Sequence, residues 1–549
     1  MRKLYALCLI GAVWPLAGCS DDDGGNPADA APVDAAPVDA APDVPYEIWG
    51  PDQSNSVAGQ ALGTNGGYIH IWDGLAVEDA IAAGMPAPAP VTVLNVNELY
   101  PNTGASHPDP LPEIGQDGTA TGGVLGTIGR LHGVRPSPNN NYVALSLFNP
   151  GGGYVGIVDG RTKEPVALFR STAADTGRSN HMSFWSADGR HVFIANLNAK
   201  FLERIDIDYD AAGNIVSAAL NLDATLDLAG TGATRVTEEA RVYVGPGMLG
   251  EVSGAVQAQS DTTPAGNAKE GAAVGRPNTA IVCPISVRNN RHLYITLAGG
   301  GLFVVDYTTA PMSIVAEYSN DVVNGAGCGG IEAGDSIFLN AGVSAAEAGA
   351  AQSTFTVYRL GNDFPAAPEF LDMANANPPE LAFKDSGNTA TGGNSDGPAS
   401  NDSGQAAGTT TRRDSHGMAA TSDGRFVHVA DRIQNLVEVF DAETLARTTY
   451  DLTSANGDGT GGPAPCAGND PTPDLMEITP NGRYMLFALR GPKPVSVPHS
   501  AEGTCPGVGV VEVQDGGARG RMVMVLPTTN DIDADESSDI HGIAIRLKN

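Results

Sequence analysis

The chain has 549 residues, with 69 glycines, 38 prolines and only 17% charged residues, a balance that favours short strands and turns over long helices. Its formal charge of −32 argues against nucleic acid as a partner, because phosphates would be repelled, and leaves room for divalent cations.

In chain order, the first element is a processing signal over residues 1–18. Met1-Arg2-Lys3 is basic, Leu4 to Leu16 is a short apolar run, and Leu16-Ala17-Gly18-Cys19 follows. This order resembles the bacterial lipobox, which implies that Cys19 is lipidated and becomes the first mature residue. Ser20 resembles a sorting residue for the outer membrane. No other stretch approaches the ~20 apolar residues of a membrane span. The expectation is a lipoprotein of the cell envelope, held to the outer membrane through Cys19 and facing the periplasm or the cell surface. Residues 19–45 follow as an acidic Ala/Pro/Asp tether without apolar periodicity, disordered and semi-extended.

Residues 46–549 read as strands and turns. An apolar run leads into a polar turn such as Ser-Ala-Asp-Gly-Arg (186–190) or Ser-Asp-Gly-Arg (422–425), then a second strand, a third ending in Asp, and an edge-like fourth. Asp-Gly and Asn-Gly steps supply the positive φ that tight hairpins need. Four antiparallel strands repeating every ~45 residues describe a β-propeller blade. Inner strands start at His132, His181, Cys283, Cys328, His416, Asp474 and His541. The chain ends shortly after His541, while EIWGPDQSN (47–55), GYIHIWD (67–73) and VTVLNVN (91–97) lack an inner strand, so the last strand should complete the first blade. The fold expected is all-β, a seven-bladed β-propeller closed by its C-terminal strand, with long Gly/Asn/Asp/Thr-rich insertions at 98–129, 229–275 and 372–413.

The phrases NHMSFWSADGRHVFIAN (180–196), HGMAATSDGRFVHVAD (416–431) and LHGVRPSPNNNYVA (131–144) resemble the repeats of YVTN or YncE-like propellers. That resemblance covers most of residues 46–549 as a repeat pattern and implies a propeller without a definite activity. Histidine-bearing propellers with copper, in nitrous oxide reductase and the selenium-binding/methanethiol oxidase group, are similar in architecture only. The cupredoxin domain of the former and the motifs of the latter are not recognisable here.

Residues at one register of the innermost strands face the central channel. The ring expected there is His132, His181, Cys283, Cys328, His416, Asp474 and His541, and imidazole and thiolate are ligands that copper and zinc prefer. Such histidines also serve as punctuation in a β repeat, bonding a neighbouring blade's backbone. Cys283 and Cys328, on consecutive blades, either share a metal or form a disulfide. Cys466 and Cys505, in loops flanking one strand pair, are paired with each other. Asp531, Asp533, Asp535 and Asp539 resemble a calcium loop, with Glu536 where that pattern wants glycine. Arg130, Arg178, Arg412 and Arg413 precede ring positions and suggest an anion-binding rim.

Three functions suit these residues. The first is a monomeric binding or interaction module that engages a protein, glycan or small ligand at the channel mouth. The second is a metalloprotein, including a copper oxidoreductase, that uses the His/Cys ring. The third is a calcium-dependent lactonase-like hydrolase. No serine-hydrolase elbow, phosphate-binding glycine loop or CxxCH haem site occurs.

Overall fold

A computed structural model describes residues 44–53, 65–100, 128–148, 153–230, 235–243, 247–258, 280–298, 300–319, 322–323, 327–341, 355–362, 364, 379–385, 413–495, 502–528 and 538–548. Cys19, the signal and the tether lie outside the described residues, as do Arg412, Asp531, Asp533 and Asp535. Among the described residues no helix is long and apolar enough to cross a membrane.

Seven sheets, each built on four antiparallel strands, form the seven blades. Blade 1 combines the C-terminal Ala544–Leu547 with Tyr46–Asp52, Tyr68–Asp73 and Thr92–Asn95. Blades 2 to 7 have inner strands Gly129–Pro136, Asn180–Trp185, Ile281–Ser286, Gly330–Ala333, Ser415–Ala420 and Pro473–Ile478, each followed in sequence by its outer three. Closure is as the sequence implies: Ala544 pairs with Trp49 and Leu547 with Tyr46.

Period-two alternation gives each sheet two apolar faces, and each face is buried against the next blade. The core is therefore a ring of inter-blade clusters. Trp49 and Ile69 pack with Leu131 and Leu145 between blades 1 and 2, and Ile48 and Trp72 pack with Leu486 and Val508 where blade 7 meets blade 1. The inner hairpins turn on Asn140, Gly189, Asn290, Gly334, Gly424 and Gly482, whose φ values lie between 53° and 71°. That left-handed region is open to glycine and tolerated by asparagine.

Four features depart from the sequence reading. Residues Gly74–Ala82 form a helix capped by Asp73, which accepts from Ala76 N at 3.1 Å, and its Glu78 accepts from Tyr46 Oη at 2.7 Å. The 229–275 insertion carries strands: Arg241–Tyr243 extends blade 2, Glu251–Ser253 extends blade 3, and Val236–Glu238 pairs with Ala173–Ala174. Within 372–413, Glu380–Asp385 is the fourth strand of blade 5.

The fourth departure concerns register. Asn180 pairs with Asn196 and Ser183 with Ile194, while Ile281 pairs with Leu297 and Pro284 with Ile295. The residue equivalent to His181 is thus Val282. Cys283 takes the next position. Cys328 keeps the ring register, since Gly330 pairs with Leu339 as Ser183 pairs with Ile194, although the blade 5 strand itself begins only at Gly330. An aliphatic residue at the ring position of blade 4 gave the sequence no mark there, so the adjacent cysteine stood in for it.

Candidate metal centre

The histidines reach the axis because the inner strands are bulged where they sit. Pairing with the second strand shifts between Leu131 and Gly133, Asn180 and Ser183, Ser415 and Met418, and Pro473 and Met476, spanning His132, His181, His416 and Asp474. A bulge leaves its extra residue unpaired and re-aims the side chain. The glycine after the ring residue has a steric role. A Cβ on Gly417 would stand 2.0 Å from Asp474 O, and one on Gly133 would stand 2.6 Å from Met182 Sδ. The His-Gly step lets the next blade's inner strand approach closely.

Five of the seven expected ring residues converge. His132 Nε2 lies 3.2 Å from His181 Nε2, and His416 Nε2 lies 3.2 Å from His541 Nε2. The His132 and His541 rings stack at 3.8 Å between centroids, joining the two pairs. Asp474 Oδ1 is 3.0 Å from His416 Nε2 and 3.8 Å from His541 Nε2. The ligand atoms of His416, Asp474 and His541 all fall within 4.8 Å of one another. His132, His416, Asp474 and His541 are buried, and His181 is half-buried.

Hydrogen bonds fix the protons. Gln53 Nε2 donates to Asp539 Oδ2 at 3.0 Å, which turns Gln53 Oε1 toward His132 Nδ1 at 2.9 Å, so Nδ1 of His132 is the donor. His181 Nδ1 faces the Val282 carbonyl at 2.9 Å, and His541 Nδ1 faces the His132 carbonyl at 3.2 Å. A carbonyl only accepts, so these Nδ1 atoms also carry protons. In the neutral rings the Nε2 lone pairs are bare and turned inward. Burial keeps the rings neutral: it lowers His181 to about 4 and His416 to about 3, and it pushes His132 and His541 well below the usual imidazole range. His416 is the exception in tautomer, since an Nε2–H there would donate to Asp474. Burial alone would raise the Asp474 carboxyl, but His416 and the Arg432 and Arg490 guanidinia outweigh it and hold the group ionised.

Behind the ligands lies a buried ionic frame. Arg490 Nη1 donates to Asp474 Oδ2 at 2.8 Å, while its Nε and Nη2 reach Asp539 at 2.6 and 2.9 Å. Arg432 bonds Asp414 Oδ2 at 2.7 Å and approaches Asp474 Oδ2 at 3.6 Å. A chain thus runs Arg490–Asp539–Gln53–His132. Gln53, Arg432, Arg490 and the Val282 carbonyl were not singled out from sequence. A signal existed for two of them, because Arg432 and Arg490 each follow directly on the second strand of their blades.

Of the two alternatives expected for Cys283 and Cys328 the disulfide forms, with Cα atoms 5.4 Å apart, so neither is a free axial ligand in this form. Two other expected sites are corrected. Asp539 is no exposed calcium ligand: it is fully buried, paired with Arg490 and bonded by Gln53 and Val495 N. Among the described residues the anion rim does not form. Arg178 pairs with Glu238 at 2.6 Å, Arg413 is buried between Asp431 and Glu438, and the Arg130 guanidinium stacks 4.4 Å over Phe148. Cys466 and Cys505 are bonded as expected, with Cα atoms 5.5 Å apart.

No protein-family model matches the chain. No curated protein matches it either. Among solved structures it is similar to a candidate 6-phosphogluconolactonase from Bacteroides fragilis, at 10% identity and a TM-score of 0.46, over 92% of this chain and 98% of that one. It is also similar to the periplasmic gluconolactonase PpgL of Pseudomonas aeruginosa, at 11% identity and 0.43, over 92% and 99%. A candidate 6-phosphogluconolactonase from Bacteroides uniformis matches at 12% and 0.45, over 88% and 98%. At such identities nothing about the axial residues transfers.

Proposed function

We propose that this protein is a metal-holding propeller whose axial centre takes a zinc or copper ion on His416, His541 and Asp474, with His132 and His181 beside it. One observation carries the reading. His132 and His181 are both fixed as Nδ1–H tautomers, yet their Nε2 atoms stand 3.2 Å apart. No proton lies between two such nitrogens in the neutral rings, so their lone pairs repel. A cation relieves that repulsion, and buried polar atoms without partners are otherwise costly. His416 Nε2, His541 Nε2 and Asp474 Oδ1 lie within 4.8 Å of one another, and an ion taken there would displace the proton that His416 Nε2 shares with Asp474.

The donor set favours zinc or copper, which imidazole suits, over calcium, which takes six to eight oxygens. Asp474 is the one carboxylate among the five converging side chains, so a calcium-dependent lactonase is the weaker reading. Three protein ligands around one ion leave a coordination position open, as in catalytic rather than structural zinc sites. The half-buried face of His181 is the side from which an ion or a small ligand would enter. The lipobox resemblance at Cys19 supports a cell-envelope location for this centre.

Dialysis of the purified protein against zinc, followed by elemental analysis, tests the proposal. The expected result is about one retained equivalent, with loss of that equivalent in a His132→Ala, His416→Ala double variant that keeps its fold by circular dichroism. A parent that retains no zinc and no copper would reject it.

A further inference from the structure

His181 Nε2 faces His132, and its Nδ1, which donates to the Val282 carbonyl at 2.9 Å, also lies 3.8 Å from Cys328 Sγ. His181, Cys283 and Cys328 bring ligand atoms within 4.8 Å of one another. Both cysteines are buried, and the imidazole that joins them to the axis is the half-buried one.

We propose that reduction of the Cys283–Cys328 disulfide creates a second metal set, two thiolates and His181 Nδ1, that competes with the axial centre for the ion. The inference rests on the axial centre proposed above. A dithiol reductant gives two electrons and two protons to the disulfide and becomes a disulfide itself, leaving two Cys thiols. A divalent ion then binds both sulfurs and releases two thiol protons. A neutral imidazole has only one bare nitrogen. For Nδ1 to bind the ion, its proton must leave the Val282 carbonyl while Nε2 gains one, so the proton count of His181 is unchanged. The new Nε2–H donates to His132 Nε2 across the 3.2 Å contact that the disulfide form leaves as two facing lone pairs. Thiol-bound and axial states therefore draw on His181 in opposite ways. Reduction turns an imidazole/carboxylate site into a softer sulfur-rich one suited to zinc or copper(I).

Cobalt(II) is the probe, because thiolate ligation adds a near-ultraviolet charge-transfer band that imidazole ligation lacks. The disulfide form is expected to bind one cobalt without that band. After reduction by a water-soluble phosphine, with the new thiols counted, the band should appear while bound cobalt stays at one per chain. A Cys283→Ser, Cys328→Ser variant should keep the cobalt and never show the band.

Three results would overturn the proposal: new thiols without a sulfur band, a second cobalt bound beside the first, or a Cys283–Cys328 bond that resists reduction in the folded protein. Cobalt bound only after reduction, with the sulfur band, would instead support the thiolate set and count against the axial centre.

Discussion

Removing residues 543–549 is expected to unfold the ring rather than trim its end. Ile543 and Ala544 are fully buried, and burying one isoleucine side chain contributes about 1.5–3 kcal/mol. Arg546 Nε is bound to Glu47 at 2.8 Å, and its Nη1 reaches Asn140 O at 2.9 Å. Leu547 N donates to Asn140 Oδ1 at 2.9 Å, and Lys548 pairs with Asp73 at 2.5 Å. The truncation strips the inner strand from blade 1 and opens the seam to blade 2. The loss exceeds about 5 kcal/mol, comparable with the whole stability of an ordinary domain. Calorimetry should show the main transition lost or moved far down, with new protease cleavage near Tyr46–Asp52. An unchanged Tm would reject closure by this strand. The truncated chain keeps His541, so the test concerns architecture and not the ligand itself.

The second large effect lies in the frame behind the ligands. Arg490 is fully buried and is the shared partner of Asp474 and Asp539. Arg490→Ala leaves two buried carboxylates short of their counter-charge. Breaking one buried ion pair typically costs about 3–5 kcal/mol, because the remaining charge is uncompensated. The expected result is a fall of at least that size in unfolding free energy, read from the denaturant midpoint. Arg490→Lys should recover only part of it, because an ammonium cannot bridge two carboxylates as the guanidinium fork does. A variant as stable as the parent would show that solvent reaches Asp474 and Asp539.

The propeller was legible because the phrase around His132, His181 and His416 repeats with its turn at a constant offset, and because the strand after His541 has no other partner. The helix at Gly74–Ala82 was missed although Asp73 is a good N-cap, since it interrupts a blade where the repeat leads one to expect another hairpin. At the site, the histidines and Asp474 were legible as a register. What makes them a centre was not. Gln53 and Asp539 are 486 residues apart in sequence and meet only because the ring closes. For the same reason Asp539 looked like one of a run of calcium carboxylates, when Arg490 had already claimed it. Of the two cysteine ring positions, Cys283 failed by one residue, because Val282 occupies the register in blade 4, whereas Cys328 stands at the register and is taken up by the disulfide.

The central claim is that imidazole nitrogens and one carboxylate hold an ion on the axis, and X-ray absorption at the metal edge of the zinc-loaded disulfide form tests it most directly. The account expects a first shell of nitrogen and oxygen alone at about 2.0–2.1 Å, with the outer-shell scattering of imidazole rings. A sulfur shell near ~2.3 Å in that form, or an oxygen shell without imidazole scattering, would contradict it.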